Sequence, residues 1–188
     1  TGDAPEAAVT AYGSGNAAQV YFHNEDRKIL LSELNRDFPG LVDALIAHEG
    51  IGLVVGYADD GTAVAMGKGG SRNVHTGEVV GLDPLIAYAP DSGYGACSLE
   101  TRVWQVKRVM DFPSAGDLWL ISTHFEDGTV AALEELVGNH GGMGGPQTDS
   151  FIFHPPHIEV PETRASIDVF NILNAYRPHL AQSQEDEA

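Results

Sequence analysis

The hydrophobic positions of this chain switch between a period of two and a period near 3.6, a pattern that predicts a mixture of strands and helices. Short apolar or β-branched runs predict strands at 7–11, 19–22, 51–57, 62–66, 117–123 and 151–153. Apolar residues at helical spacing predict helices over 29–37, 41–46, 99–110 and 164–176. Weaker patterns favour a further strand within 72–80 and a short element over 129–136, whereas 83–94 is typical of a loop. We therefore predict an α/β fold.

The most unusual stretch of the chain lies between two of the predicted strands and is rich in glycine. Five of the eight residues from Gly138 to Gly145 are glycine, and His140 stands among them. Because glycine lacks a Cβ, such a loop can bend sharply and leave the imidazole open to a ligand. Taken alone, these residues also fit a tight surface turn with a hydrogen-bonded histidine, which is the commoner meaning of a single short motif.

Composition and charge exclude several classes of function. The chain of 188 residues is 43% hydrophobic and 20% charged, as in soluble globular proteins, and no apolar run reaches the ~18 residues that span a bilayer. The segment 1–6 has neither the basic nor the apolar region of a signal peptide, and localisation is otherwise undetermined. Cys97 is the only cysteine. The net charge of −17 argues against a nucleic-acid footprint, and a phosphate site would need metal cations or a local basic group.

Three segments, in this order, resemble the alkaline phosphatase superfamily in its nucleotide pyrophosphatase/phosphodiesterase-like branch. The first, Phe112-Pro113-Ser114-Ala115-Gly116-Asp117-Leu118, resembles the return from a cap insertion to the central sheet. The second, Gly138-Asn139-His140-Gly141-Gly142, resembles a late loop that supplies a metal ligand. The third pairs Phe151-Ile152-Phe153 with the helix around Ser166-Ile167-Asp168-Val169. A Gly-Pro-Gln after the His-Gly loop is similar to bacterial members described as alkaline phosphatase family.

The resemblance implies the C-terminal part of a metal-dependent phosphoesterase or phosphodiesterase, with a partial core sheet and an α+β cap. It implies a core strand and its approach at 1–18, a cap at 19–112 and the end of the core at 113–180. A disordered acidic tail is expected at 181–188. In the complete enzyme, divalent metals, most often zinc in this superfamily, would act on a small-molecule phosphate ester, and His140 would bind one metal. We expect no tight metal binding by this chain alone.

The sequence departs from the family at the catalytic residues. Neither an Asp-His pair nor a plausible loop for a Thr or Ser nucleophile is present, so the catalytic residues stay unknown and this chain alone is expected to be inactive. The alternative is a non-catalytic binding or interaction module that keeps the fold without the chemistry. Because the family's early strands are missing, we expect an open apolar edge or face, and association with a second copy or with the missing N-terminal part.

Other residues are open to two interpretations. Ser14, Asn16, Gly141 and Gly142 are candidates to line the cleft, although a plain turn around Ser14 and Asn16 is the commoner outcome. Asp117 is expected to make structural hydrogen bonds rather than to act in catalysis. The pair His154 and His157 is a weak metal candidate, because only Glu159 lies nearby as a third ligand. The stretch 68–71 lacks the spacing of a phosphate-binding loop and predicts a hairpin turn.

Overall fold

The computed structural model describes residues 8–23, 27–88, 98–135, 137–138, 140–148, 150–163 and 165–185. The chain divides into two compact units, Thr1–Asp149 and Ser150–Ala188. The first unit contains seven strands and four helices in its described part. The strands are β1 (Val9–Ser14), β2 (Ala17–Phe22), β3 (Ile51–Tyr57), β4 (Ala63–Gly67), β5 (Gly70–Asn73), β6 (Val79–Gly81) and β7 (Leu118–Ser122). The helices are α1 (Leu31–Asp37), α2 (Leu41–Ala47), α3 (Pro84–Ala87) and α4 (Leu99–Met110).

The seven strands form one sheet in the order β1-β2-β7-β3-β4-β5-β6, and every pairing is antiparallel. This sheet with its helices confirms the predicted α/β class. The latest strand in sequence, β7, lies between β2 and β3 and pairs with both. Five consecutive residues of β3, Leu53 to Tyr57, are buried, as expected for a strand covered on both faces.

Helices cover both faces of the sheet. Leu34 of α1 and Val42 of α2 pack with Val54, Leu118 and Leu120 on one face. Leu85 of α3 packs with Val106 and Met110 of α4 against Leu53, Val55 and Ile121 on the other face. A register shift between Ile51 and Leu53 places these two β3 residues in opposite clusters, as a β-bulge does.

Local hydrogen bonds explain where two of the helices begin. The Glu33 carboxylate accepts a hydrogen bond from the Leu30 amide, and it also pairs with both Nη atoms of Arg27. The Arg27 hydrogen bond, with help from the Leu30 amide, lowers the pKa of Glu33 to about 2. At α4, the Ser98 hydroxyl accepts from the Thr101 amide and satisfies one of the free donors at the helix start.

The predicted division into a cap at 19–112 and a core at 113–180 is wrong. Strands β3 and β4, assigned to the cap, share the sheet with β7, and β3 pairs directly with it through Leu53, Val54 and Val55. The boundary between compact units falls instead after Asp149. The hydrophobicity of one strand indicates that it is buried, but not which distant strand pairs with it, because register and pairing depend on the whole sheet.

Several local predictions need smaller corrections. The strand predicted within 72–80 is a hairpin of two strands, β5 and β6, and the loop predicted at 83–94 contains the short helix α3, while 89–97 lie outside the described residues. The turn predicted at 68–71 is confirmed in part, because residues 68–69 form the turn between β4 and β5.

The second unit differs more from its prediction. Residues 151–153 form no strand, and Phe151 and Phe153 are 84% and 95% exposed. Helix α5 spans Ser166–Glu185, so it extends into the stretch predicted to be a disordered tail. None of the described helices combines the length and the apolar character needed to cross a membrane.

Candidate functional site

The glycine-rich loop lies against the turn that joins β1 to β2. Ser14 is the last residue of β1, and Gly15 and Asn16 form the turn. Gly15 has a φ of +59°, a left-handed conformation that glycine adopts without the strain a side chain would add. The loop approaches this turn at His140, Gly142 and Gln147. Residues 136, 139 and 149, in the same stretch of chain, lie outside the described residues.

The His140 imidazole is held by one hydrogen bond at each nitrogen. Nε2 lies 3.0 Å from the Ser14 Oγ, and Nδ1 lies 2.8 Å from the carbonyl oxygen of Gly141. The ring also lies directly on Gly15, because a Cβ at that position would be 3.1 Å from both Cε1 and Nε2. The ring is therefore oriented, yet it remains exposed to solvent.

A partly buried pair of amide side chains holds the loop against the turn beside the imidazole. Asn16 is only 5% exposed, and its Nδ2 donates to the Oε1 of Gln147 at 3.1 Å. Gly142 lies so close that a Cβ there would be 1.8 Å from the Asn16 Nδ2. Only glycine fits this contact without moving the amide pair, which explains why the loop needs a glycine at this position.

Backbone hydrogen bonds tie the same turn to the sheet and to the chain before the loop. The Asn16 carbonyl accepts from the Ser122 amide at the end of β7, at 2.9 Å. The Gly15 carbonyl accepts from the Leu133 amide at 2.8 Å. Met143 of the loop is buried in the cluster that contains α3 and α4. These contacts make the site a fixed part of the first unit.

A second histidine, His124, lies under the glycine loop and was not identified as a site residue from the sequence. A Cβ on Gly145 would be 2.4 Å from the His124 Nε2, and Nδ1 of that ring lies 3.1 Å from the Phe125 carbonyl. Its Nε2 is buried and has no hydrogen-bond partner in the described part of the chain. The position of His124 two residues after β7 was the available signal, since site residues often follow strand ends.

The five residues that the sequence singled out for this site lie together. Ser14, Asn16, His140, Gly141 and Gly142 all belong to the contact between turn and loop. Gln147 completes the contact, although sequence reasoning gave it no role. The proximity is a finding of the structure, whereas metal binding by His140 and cleft lining by the other four stay predictions.

The buried carboxylate of Asp117 has the structural role that the sequence favoured. Asp117 is 5% exposed, and its two oxygens accept from the amides of Phe22, at 2.7 Å, and Ile29, at 3.1 Å. It therefore joins the end of β2 to the segment that leads into α1.

One imidazole provides a single strong metal ligand. Among the described residues, no three His, Cys, Asp or Glu side chains come close enough to hold a metal ion together. His154, half of the weaker candidate pair, has its Nδ1 3.1 Å from the Pro155 carbonyl. The described residues around His140 therefore do not form a metal site by themselves, and metal binding by His140 stays a prediction.

An open groove on α4 was not anticipated from the sequence. Trp104, Lys107, Arg108, Asp111 and Phe112 line it. The Arg108 guanidinium lies 5.6 Å from the Trp104 ring centre and 5.5 Å from that of Phe112, within the range of cation–π contacts. The groove combines two basic and two aromatic side chains with one carboxylate, on a strongly acidic chain.

Comparison with known proteins adds no assignment to this geometry. No protein-family model, curated protein or solved structure matches the chain.

Proposed function

We propose that this chain is the C-terminal part of a metal-dependent phosphoesterase or phosphodiesterase, in which His140 binds one divalent metal. The proposal starts from the resemblance of the loop at 138–142 to a metal-ligand loop of the alkaline phosphatase superfamily. Its substrate would be a small-molecule phosphate ester. Nucleic acid is not a proposed partner, because a chain of net charge −17 repels a polyanion.

The observation that carries the proposal is the hydrogen bond between the His140 Nδ1 and the Gly141 carbonyl, at 2.8 Å. Histidines that bind metals almost always donate their other ring N–H to a carboxylate, carbonyl or water, which fixes the ring and raises its basicity. Zinc and several other divalent ions accept a neutral imidazole as ligand. The donor type and its orientation at His140 therefore suit the proposed metal.

The proposal assigns the remaining ligands and the Thr or Ser nucleophile to a part of the enzyme outside this chain. A bound pair of divalent metals supplies charge compensation and activates the attacking oxygen in such enzymes. The described residues contribute an oriented imidazole and, through Asn16, Gly142 and Gln147, a loop position that is fixed against the sheet.

The test uses the complete protein and a matched pair of variants. His140→Ala should lower the metal content and reduce hydrolysis of bis-p-nitrophenyl phosphate by at least about tenfold. Loss of a group that only orients a metal ligand already costs about 10- to 100-fold, so loss of the ligand itself should cost at least as much. His23→Ala, at an exposed histidine whose Nε2 bonds Thr10 outside the turn–loop contact, is the control and should retain both. Circular dichroism should show an unchanged fold for both variants.

Two results would contradict the proposal. Full metal content and full rate in His140→Ala would reduce His140 to a turn residue. A complete protein that binds no divalent metal and hydrolyses no phosphate ester would instead favour the alternative, a binding or interaction module without the chemistry.

A further inference from the structure

The two hydrogen bonds of His140 determine which ring nitrogen carries the proton. A backbone carbonyl oxygen can only accept, so the Nδ1 that lies 2.8 Å from the Gly141 oxygen must be the donor. In a neutral imidazole the other nitrogen is then an acceptor. Nε2 therefore presents its lone pair, and the Ser14 hydroxyl, 3.0 Å away, donates to it.

This arrangement gives the one lone pair of Nε2 two possible partners. A metal bound to an imidazole lies about 2.0–2.1 Å from the nitrogen and uses the same lone pair as the hydrogen bond. The Ser14 proton and a cation therefore exclude each other at Nε2. The tautomer that suits metal binding is already present, but the Ser14 hydroxyl occupies its binding position.

We infer that the Ser14 hydroxyl blocks Nε2 of His140 in the metal-free chain and must rotate away when a divalent cation binds to that nitrogen. The inference rests on the proposed function for the identity of the ligand. The movement is small, because only one staggered side-chain rotation is needed. The turn itself stays in place, since Asn16 is buried and bonded to Gln147 and its carbonyl is bonded to Ser122.

The expected size of the effect follows from the single bond that has to be broken. The Ser14 hydroxyl makes no other hydrogen bond to a side chain within the described residues. The net contribution of a hydrogen bond between neutral groups corresponds to about a two- to tenfold change in an equilibrium. Ser14→Ala should therefore bind a divalent cation at His140 about two- to tenfold more tightly than the unaltered chain does.

The experiment uses this 188-residue chain, labelled with ¹⁵N and titrated with zinc chloride alone, at a constant pH of about 8, where an ordinary imidazole is neutral. Long-range ¹H–¹⁵N spectra report the tautomer and the zinc response of each ring, and His140→Ala identifies the signals of His140. Ser14→Thr keeps the hydroxyl and should behave as the unaltered chain does. Ser32→Ala removes an exposed hydroxyl that bonds Asp59 and is the matched control.

The inference is supported if Nε2 of His140 is unprotonated and Ser14→Ala alone tightens the zinc response of that ring. It is overturned if the proton lies on Nε2, or if Ser14→Ala leaves the affinity unchanged or weakens it. These readouts come from this chain and zinc, whereas the proposed function is tested by metal content and turnover of the complete protein. Failure of one is thus distinguishable from failure of the other.

Discussion

At the scale of single residues, the clearest structural role belongs to the buried carboxylate of Asp117. It connects three parts of the fold, because it stands immediately before β7 and accepts from the amides of Phe22, at the end of β2, and Ile29, ahead of α1. Each of those amides would otherwise be a buried donor without its partner, which costs more than a hydrogen bond contributes.

We predict that Asp117→Asn lowers the free energy of unfolding by about 1–3 kcal/mol, because the amide group keeps one acceptor and turns its NH₂ toward an amide that needs an acceptor. Urea denaturation followed by circular dichroism measures the change. Asp43→Asn, at an exposed position of α2, is the control and should stay within about 0.5 kcal/mol of the unaltered chain. Equal stabilities for the two variants would show that the Asp117 contacts are not structural.

At the scale of elements, the site is a contact between one tight turn and one loop. The turn is fixed by Gly15 and by the bonds of its carbonyls to Leu133 and Ser122, and the loop is fixed by Gln147 and the buried Met143. Neither element holds His140 alone, because Nδ1 is bonded within the loop and Nε2 is bonded to the turn.

Two glycines of the same loop allow a matched test of this contact. Gly142→Ala would place its Cβ 1.8 Å from the Asn16 Nδ2 and 2.5 Å from its Cγ, so the Asn16–Gln147 bond should break and the loop should separate from the turn. Gly138→Ala meets nothing within 4 Å. We predict faster amide hydrogen exchange over 140–148 in Gly142→Ala only. Similar exchange in both variants would mean that the loop is held elsewhere.

At the scale of the whole first unit, the sheet has β1 at one edge and β6 at the other. Five of the six residues of β1 are exposed. Near β6, four apolar side chains are exposed by 39–63% of their surface: Val79, Val80, Leu82 and Ile86. An exposed apolar strand edge is a template for pairing with another chain, and the association expected from the sequence stays a prediction.

We predict that the isolated chain associates with a second copy through the β6 edge and that Val80→Lys weakens this association, because a charged side chain at an edge opposes strand pairing. Sedimentation velocity at several concentrations measures the association. Asn35→Lys adds the same charge at an exposed position of α1 and should leave it unchanged. A chain that sediments as a monomer at every concentration would contradict the prediction.

The sequence by itself determined several local elements, because periodicity and turn residues act over a few positions. The bounds of β3 and α4 match their predictions, and the glycines around His140 correctly indicated the loop whose residues contact Ser14 and Asn16. A structural role for Asp117 was also favoured by its sequence context, but its partners, the amides of Phe22 and Ile29, are 95 and 88 residues away and were identified only in the structure.

Only the tertiary structure decided which distant parts meet. Ser14 and His140 are 126 residues apart, so no local pattern predicts their hydrogen bond. Because β7 lies between β2 and β3, the strands that were predicted to form a separate cap belong to the same sheet as β7. Local patterns do not predict this, because strand partners depend on the packing of the whole sheet. Phe151 to Phe153 have the composition of a strand but form none, since a strand needs a neighbour for its hydrogen bonds as well as a suitable sequence.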